Sequence, residues 1–329
     1  MKKTVRCLLL LILCALLAGC AAKGTEEAAP APEGEALSRG QKPALPEKLS
    51  LNAEGIPALK VYQTDEEKIQ TLDVETYLAG VLAGEMKNDW PLEALKAQAI
   101  LARTFVMKFC AEKESKYAGA DISTDIEEAQ AYDATGVNER IEQAVRDTRG
   151  LVLSSRGEFP YAWFHAHSGG MTARAREGLH FEQAEPAYTQ VVEGRDSPEA
   201  PEDARAWQAT FSGEETAAAA KAAGLGDLGA LQSAEVGERG ESGRAVTILL
   251  NGRAVSAPEI RLGLGSSKMR STLLTSLKVE DGRLVMAGKG YGHGVGMPQW
   301  GAYALAEEGK TAEEIVTYYF RDVTVEKMW

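Results

Sequence analysis

Asp73-Val-Glu-Thr-Tyr77-Leu-Ala-Gly-Val-Leu-Ala-Gly-Glu85-Met-Lys-Asn-Asp-Trp90-Pro91-Leu-Glu-Ala-Leu95 is the stretch from which the fold is read. Asp73 is a good helix N-cap, and the pattern behind it predicts a helix to about Gly84. Pro91 suits the first turn of a second helix, which continues to about Lys113. Leu92, Leu95, Ala99, Ala102, Val106 and Cys110 lie on the apolar side of that helix, so Cys110 reads as a core residue. Working outward, Leu59 to Gln63 reads as a strand. Leu151 to Ser155 and Tyr161 to Ala166 read as two more, joined by a turn at Arg156-Gly157. Asn251-Gly252 and Asp281-Gly282 each sit between strand-like runs, a strong hairpin signal. Helical patterns return at Glu214–Ala223 and Ala312–Phe320. Helices and hairpins mix without a regular βαβ alternation. The expected fold is therefore α+β, a single large mixed domain over residues 56–329.

Two segments precede that domain. Lys2, Lys3 and Arg6 stand before a continuous apolar run from Cys7 to Ala18. Twelve helical residues rise about 18 Å, short of the roughly 30 Å hydrocarbon core, so residues 1–19 read as a signal peptide. Leu17-Ala18-Gly19-Cys20 resembles the lipobox of bacterial lipoproteins, which makes Cys20 the expected lipidation site. The alternatives are an ordinary small-residue cleavage site and an uncleaved short anchor. Each of the three places the bulk of the chain outside the cytoplasmic membrane. Residues 20–55, rich in Pro, Ala, Glu and Gly, read as a disordered tether.

The 329 residues carry 36 Lys and Arg against 48 Asp and Glu, a net charge of −12. Nucleic acid is a poor partner for such a chain, because binding it requires a basic footprint. The four cysteines make no disulfide framework: if cleavage occurs before Cys20, Cys7 and Cys14 leave with the signal peptide, Cys20 is acylated and Cys110 remains alone.

Leu78, Leu82 and Glu85 follow i, i+4, i+7 spacing, so Glu85 shares a stripe with two leucines. It also lies at a helix C-terminus, where the macrodipole disfavours negative charge. Both effects raise a carboxyl pKa, as a general acid for a glycosidic oxygen requires. The bland alternative is a solvated Glu85 paired with Lys87. Lys96 and Arg103 share a face of the second helix. Arg103 either orients Glu85 or binds a sugar carboxylate, or it pairs with an acid on a neighbouring element.

Gly288, Gly290, Gly292, Gly294 and Gly296 alternate with side chains. In an extended segment they leave one bare face, open to another chain or a flat ligand; the alternative is a tightly packed turn region. His165 and His167 are two apart on an expected strand and are weak metal candidates, with His180 or His293 as a third ligand. Ser168 lacks a Gly-x-Ser-x-Gly elbow, so a tight turn at Ser168-Gly169-Gly170 is the simpler reading.

Three segments together resemble the stage II sporulation protein D (SpoIID)/LytB family. They are Tyr77 to Met86 running into Trp90 to Thr104, Phe164-His-Ala-His-Ser-Gly-Gly-Met-Thr172, and Gly290-Tyr-Gly-His-Gly-Val-Gly-Met-Pro-Gln-Trp-Gly-Ala302. The resemblance implies a peptidoglycan lytic transglycosylase acting on glycan strands already stripped of stem peptides, with Glu85 and Arg103 as catalytic residues. It implies that Ser168, Gly169, Gly170, Thr172, Tyr291, His293 and Gln299 line the glycan groove. It also implies work in forespore engulfment beside a SpoIIP-type amidase and the membrane protein SpoIIM. A non-enzymatic amidase enhancer or wall-binding module is the alternative. Pro298 stands where the family usually has Ser. Some relatives bind zinc near the Ser-Gly-Gly segment, where this chain has no cysteine, so no cofactor is expected.

Overall fold

The computed structural model describes residues 41–329. The signal-peptide and Cys20 readings, and the first part of the expected tether, lie outside them. Strands β1 (Ser50–Leu51), β2 (Pro57–Gln63) and β3 (Lys68–Asp73) form an antiparallel sheet in that order. Helices α1 (Val74–Glu85) and α2 (Leu92–Glu112) follow, and β4 (Ile122–Ser123) returns to pair in parallel with β2. Next come α3 (Glu139–Asp147), β5 (Leu151–Ser154), β6 (Phe164–His165), α4 (Ala175–Leu179) and α5 (Glu202–Arg205). A run of hairpins and helices fills the next stretch: β7 (Ala206–Phe211), α6 (Gly213–Ala222), β8 (Ala234–Val236), β9 (Thr247–Leu250), β10 (Arg253–Ser256), α7 (Ala257–Gly263), β11 (Leu274–Glu280) and β12 (Arg283–Lys289). The chain closes with β13 (Met297–Pro298), α8 (Gln299–Glu307), α9 (Ala312–Tyr319) and β14 (Thr324–Lys327). Apart from two short parallel pairings, all strand pairs among the described residues are antiparallel. The class is α+β.

The helix reading holds in detail. The Asp73 carboxylate accepts from the Thr76 N–H at 3.0 Å, a cap of about 1 kcal/mol. Ser212 with Glu215, and Thr311 with Glu314, form capping boxes that start α6 and α9. Asn251 and Asp281 adopt φ of 50°, followed by Gly252 and Gly282 at 75° and 71°. These are two-residue primed turns, and they register β9 on β10 and β11 on β12.

Helix α2 divides the first half of the interior. Leu95, Ala99 and Leu101 pack with Leu82, Trp90, Ile315 and Tyr319 on one side. Ala102, Val106 and Cys110 pack with Leu59, Val61, Leu78 and Val152 on the other. Cys110 is buried as expected, and burial pushes its thiol up to about 12. A separate apolar cluster, including Trp207, Phe211, Ile248, Leu250, Leu284 and Met286, belongs wholly to residues 206–289.

Three expectations need correction. The tether does not extend to residue 55, because Leu45 and Leu49 pack into the core beside Leu59 and Phe109. Lys48 Nζ also donates to the Lys113 carbonyl at 2.7 Å. Tyr161 to Ala166 is not a long strand paired with β5. Only Phe164–His165 is strand, and it lies parallel to Met297–Pro298, while β5 takes β14 as partner. The Arg156-Gly157 turn does form, closed by a Ser155–Glu158 bridge, but Pro160 follows it and the Tyr161 N–H goes to the Tyr188 hydroxyl at 2.9 Å. The glycine ladder is not a bare extended face either. Gly290, Gly292, Gly294 and Gly296 all have positive φ, from 73° to 116°. What approaches them is this chain itself: a Cβ on Gly294 would lie 2.3 Å from Arg244 Cζ, and one on Gly296 2.0 Å from the Trp163 carbonyl oxygen.

Candidate active site

Glu85 is the last residue of α1, on the stripe that buries Leu78 and Leu82, and is itself half-buried. Two elements close on it. The loop before Tyr132 crosses the helix end, and the Ala131 N–H donates to Glu85 Oε1 at 2.7 Å. That crossing requires Gly84, whose Cβ would lie 2.6 Å from the Tyr132 nitrogen. From the opposite side α8 brings in Gln299, whose Nε2 donates to the Glu85 carbonyl oxygen at 3.1 Å. Burial raises the carboxyl pKa above its ordinary value, while the Ala131 and Gln299 hydrogen bonds pull it partly back. Such a carboxyl keeps its proton closer to neutral pH than an exposed one.

The surroundings are open and polar. Glu85 opens onto a shallow depression of about 530 Å³, lined also by Lys87, Asn88, Asp89 and Asp133. Beside it Trp90, Trp300 and Tyr303 cluster with centroid separations of 4.5 to 5.3 Å. Lys87 lies over the Trp300 ring at 5.9 Å, and among the described residues no ion pair joins it to Glu85.

The other two sequence motifs are brought together beside this end of α1. His167 and Tyr291 exchange backbone hydrogen bonds at 3.0 and 2.8 Å. His165 sits opposite Pro298, and the Trp300 N–H donates to the Ala166 carbonyl at 3.1 Å. Gln299 thus links the paired motifs to Glu85. Within them, Ser168 and Thr172 are completely buried. The Ser168 hydroxyl donates to Asp196, and the Thr172 hydroxyl donates to the Gln190 carbonyl at 2.9 Å. Both hydroxyls are spent on holding the neighbouring loop, so neither presents a surface to a ligand. Gly170 is exposed, Gly169 and Tyr291 are half-buried, and Arg270 covers the Tyr291 ring at 4.9 Å.

Arg103 is not at this site. It is fully buried and forks onto Glu75, with Nε 3.3 Å from Oε1 and Nη2 2.5 Å from Oε2. Glu75 lies in the first turn of α1 and Glu85 ends it, ten residues or about 15 Å apart along the axis. Of the alternatives for Arg103, the pairing with a neighbouring acid is the one formed, because α1 and α2 run antiparallel. The expected orientation of Glu85 by Arg103 is overturned.

The histidines cluster without forming a ligand set. His165 and His293 rings are 5.5 Å apart. Burial, with Arg261 and Arg244 nearby, pushes His293 down to about 3, and burial pushes His165 well below its usual value. His167 Nδ1 accepts from the Gly169 N–H at 3.0 Å, and His180 caps α4 in the left-handed region. Among the described residues no group of three His, Cys, Asp or Glu converges as a metal site.

Sequence reasoning missed Ala131, Glu75 and Asp196. The first acts through its backbone and carries no side-chain signal. The other two are ordinary-looking acids whose partners lie 28 residues away.

The chain is similar in sequence to known proteins. Residues 62–154 match the model of the SpoIID family, described as a stage II sporulation protein, and residues 177–296 match a domain of unknown function, DUF8618. The chain is 28% identical over 316 residues to stage II sporulation protein D of Bacillus subtilis (strain 168), covering 91% of this chain and 88% of that protein. It is 29% identical over 287 residues to the protein of the same name from Bacillus amyloliquefaciens, covering 82% and 78%. It is 26% identical over 293 residues to the amidase enhancer of B. subtilis, covering 75% of this chain and 40% of that protein.

Proposed function

The chain belongs to the SpoIID family, and we propose on that premise that it is a lytic transglycosylase of sporulation. It cleaves the bond between N-acetylmuramic acid and N-acetylglucosamine in stem-peptide-free peptidoglycan strands. The observation that carries the reading is the half-buried Glu85 carboxyl, raised in pKa by desolvation yet open to a shallow surface depression.

The chemistry needs one carboxyl group. Glu85 gives its proton to the bridging oxygen as the C1–O bond breaks. The resulting carboxylate then takes the proton from the muramoyl 6-hydroxyl as that oxygen bonds to C1. The product is a 1,6-anhydro end, no water is consumed, and Glu85 finishes protonated. A hydrolase with two carboxylates would instead deliver water. Ala131 and Gln299 hold the acid in place through both changes of charge. The exposed Gly170 and half-buried Tyr291 are proposed to meet the strand, with Ser168 and Thr172 supporting them from behind. No step calls on a cofactor. A SpoIIP-type amidase would supply the stripped strands, SpoIIM would be a membrane partner, and the chain would be exported and held at the outer face of the membrane by its N-terminus.

The test is mass spectrometry of amidase-treated strands incubated with the protein. Anhydro ends that vanish with Glu85→Gln are expected; reducing ends, or no cleavage, overturn the reading. The likeness to the amidase enhancer favours one second reading, a non-enzymatic activator. It predicts that Glu85→Gln still raises amidase turnover while no anhydro product is ever formed.

A further inference from the structure

We infer that the groove beside the C-terminal half of α2 is a second binding site, for a distal stretch of an amino-sugar polymer. Two adjoining cavities of about 380 and 450 Å³ share Lys108, Glu112, Tyr161, Phe181 and Gln183 as walls. None of these residues takes part in the chemistry at Glu85.

The groove has a preformed aromatic wall. Tyr161 and Trp163 stack at 4.9 Å and 19°. Phe181 stands nearly perpendicular to both, at 5.7 and 5.5 Å. All three stay half-buried: they brace one another, and Trp163 and Phe181 rest on the small buried cluster of Ala173, Ala175 and Val295. Rings fixed in this way give up little entropy when a ligand arrives. The polar rim mixes signs. Lys108 lies 4.6 Å from the Tyr161 centroid and 2.6 Å from a Glu112 oxygen. The Tyr161 hydroxyl donates to Glu112 at 3.1 Å, and the Gln183 amide and Lys113 add further donors.

Apolar rings with nearby donors and acceptors match a pyranose, which has a C–H face and a rim of hydroxyl and acetamido groups. A lipid chain would leave the Lys and Glu heads without water. An extended peptide would need free backbone partners, and here they are engaged: the Tyr161 N–H donates to Tyr188, and the Trp163 carbonyl accepts from the Met297 N–H at 3.2 Å. The groove is also joined to the first site. Trp163 lies two residues, about 7 Å of extended chain, from His165, which pairs with Pro298 next to Gln299. Lys108 stands 16 residues, about 24 Å, along α2 from its start near Glu85. A strand of several repeats reaches both places and a single repeat does not.

This inference rests on the glycan reading of Glu85 for its ligand class, so binding and cleavage are measured apart. Binding uses the full chain carrying Glu85→Gln, cosedimented or titrated with long stem-peptide-free strands. Adding Phe181→Ala or Tyr161→Ala is expected to weaken binding about tenfold, a difference of about 1.4 kcal/mol. Phe181→Ala in the otherwise unaltered protein should still cleave a tetrasaccharide at the normal rate. Should the aromatic variants lose their circular dichroism, Lys108→Ala and Gln183→Ala carry the same comparison from the rim. Undiminished binding in folded variants overturns the inference. So does retention by stem peptides freed of glycan. Failure of the unaltered protein to cleave would sink the Glu85 reading while leaving the binding comparison intact.

Discussion

The side-chain amide of Gln299, at the start of α8, donates a hydrogen bond to the carbonyl oxygen of Glu85, the last residue of α1, at 3.1 Å across 214 positions of sequence. That bond ties the final motif to the acid in the first. Gln299→Ala should leave the fold nearly as stable, at a cost of about 1 kcal/mol. It should lower kcat by about 10- to 100-fold through misplacement of the acid, with KM little changed. Steady-state kinetics on stripped strands, with a melting curve alongside, separate the two effects.

The raised Glu85 pKa sets two pH trends that run in the same direction. Activity that uses the protonated acid falls as pH rises through the folded-state value. Stability falls with it: between the unfolded carboxylate value of about 4.3 and the raised folded value, the native state binds more protons, so stability drops with rising pH. Glu85→Gln should therefore match the unaltered protein near pH 4 and exceed it in urea midpoint above the folded value. A variant less stable than its parent at pH 8 would count against a desolvated acid.

Arg103 and Glu75 make a buried pair, and deleting one partner strands the other. Glu75→Ala or Arg103→Met should each cost about 3 to 5 kcal/mol, while the double variant Glu75→Leu with Arg103→Met recovers part of it; the Gly150 N–H, the Trp329 indole N–H and the Leu151 carbonyl still lose their partners. Cleavage per folded molecule should stay within about twofold in the double variant, since neither group is near the chemistry. Loss of turnover without loss of stability would return Arg103 to the catalytic set.

Gly296→Ala places a methyl group 2.0 Å from the Trp163 carbonyl oxygen, at a backbone φ of 73°. It should destabilise by more than about 4 kcal/mol, beyond the ordinary range for single substitutions. Gly252→Ala, at a similar φ but with nothing within 4 Å, should cost only the strain, about 1 kcal/mol. Paired denaturant titrations report the difference.

Part of the site is legible in the order of residues alone. Asp73, Pro91, Asn251-Gly252 and Asp281-Gly282 act on neighbours within four residues, so caps and turns follow from local chemistry. The stripe of Leu78, Leu82 and Glu85 sets the acid against apolar neighbours. The glycine ladder misleads because spacing gives side-chain direction only if the backbone is extended, and positive φ at four glycines breaks that premise.

What the sequence determined by itself was the helices α1, α2, α6 and α9, the hairpins turning at Asn251-Gly252 and Asp281-Gly282, the α+β class and the place of Glu85 on the stripe of Leu78 and Leu82. Tertiary structure alone decided who meets that acid. Antiparallel packing of α1 on α2 sends Arg103 to Glu75, and the pairing of β6 with β13 brings Gln299 to Glu85. Local periodicity reports which way a side chain faces along its own element, whereas long-range contacts depend on how elements pack, and no window of neighbouring residues contains that information.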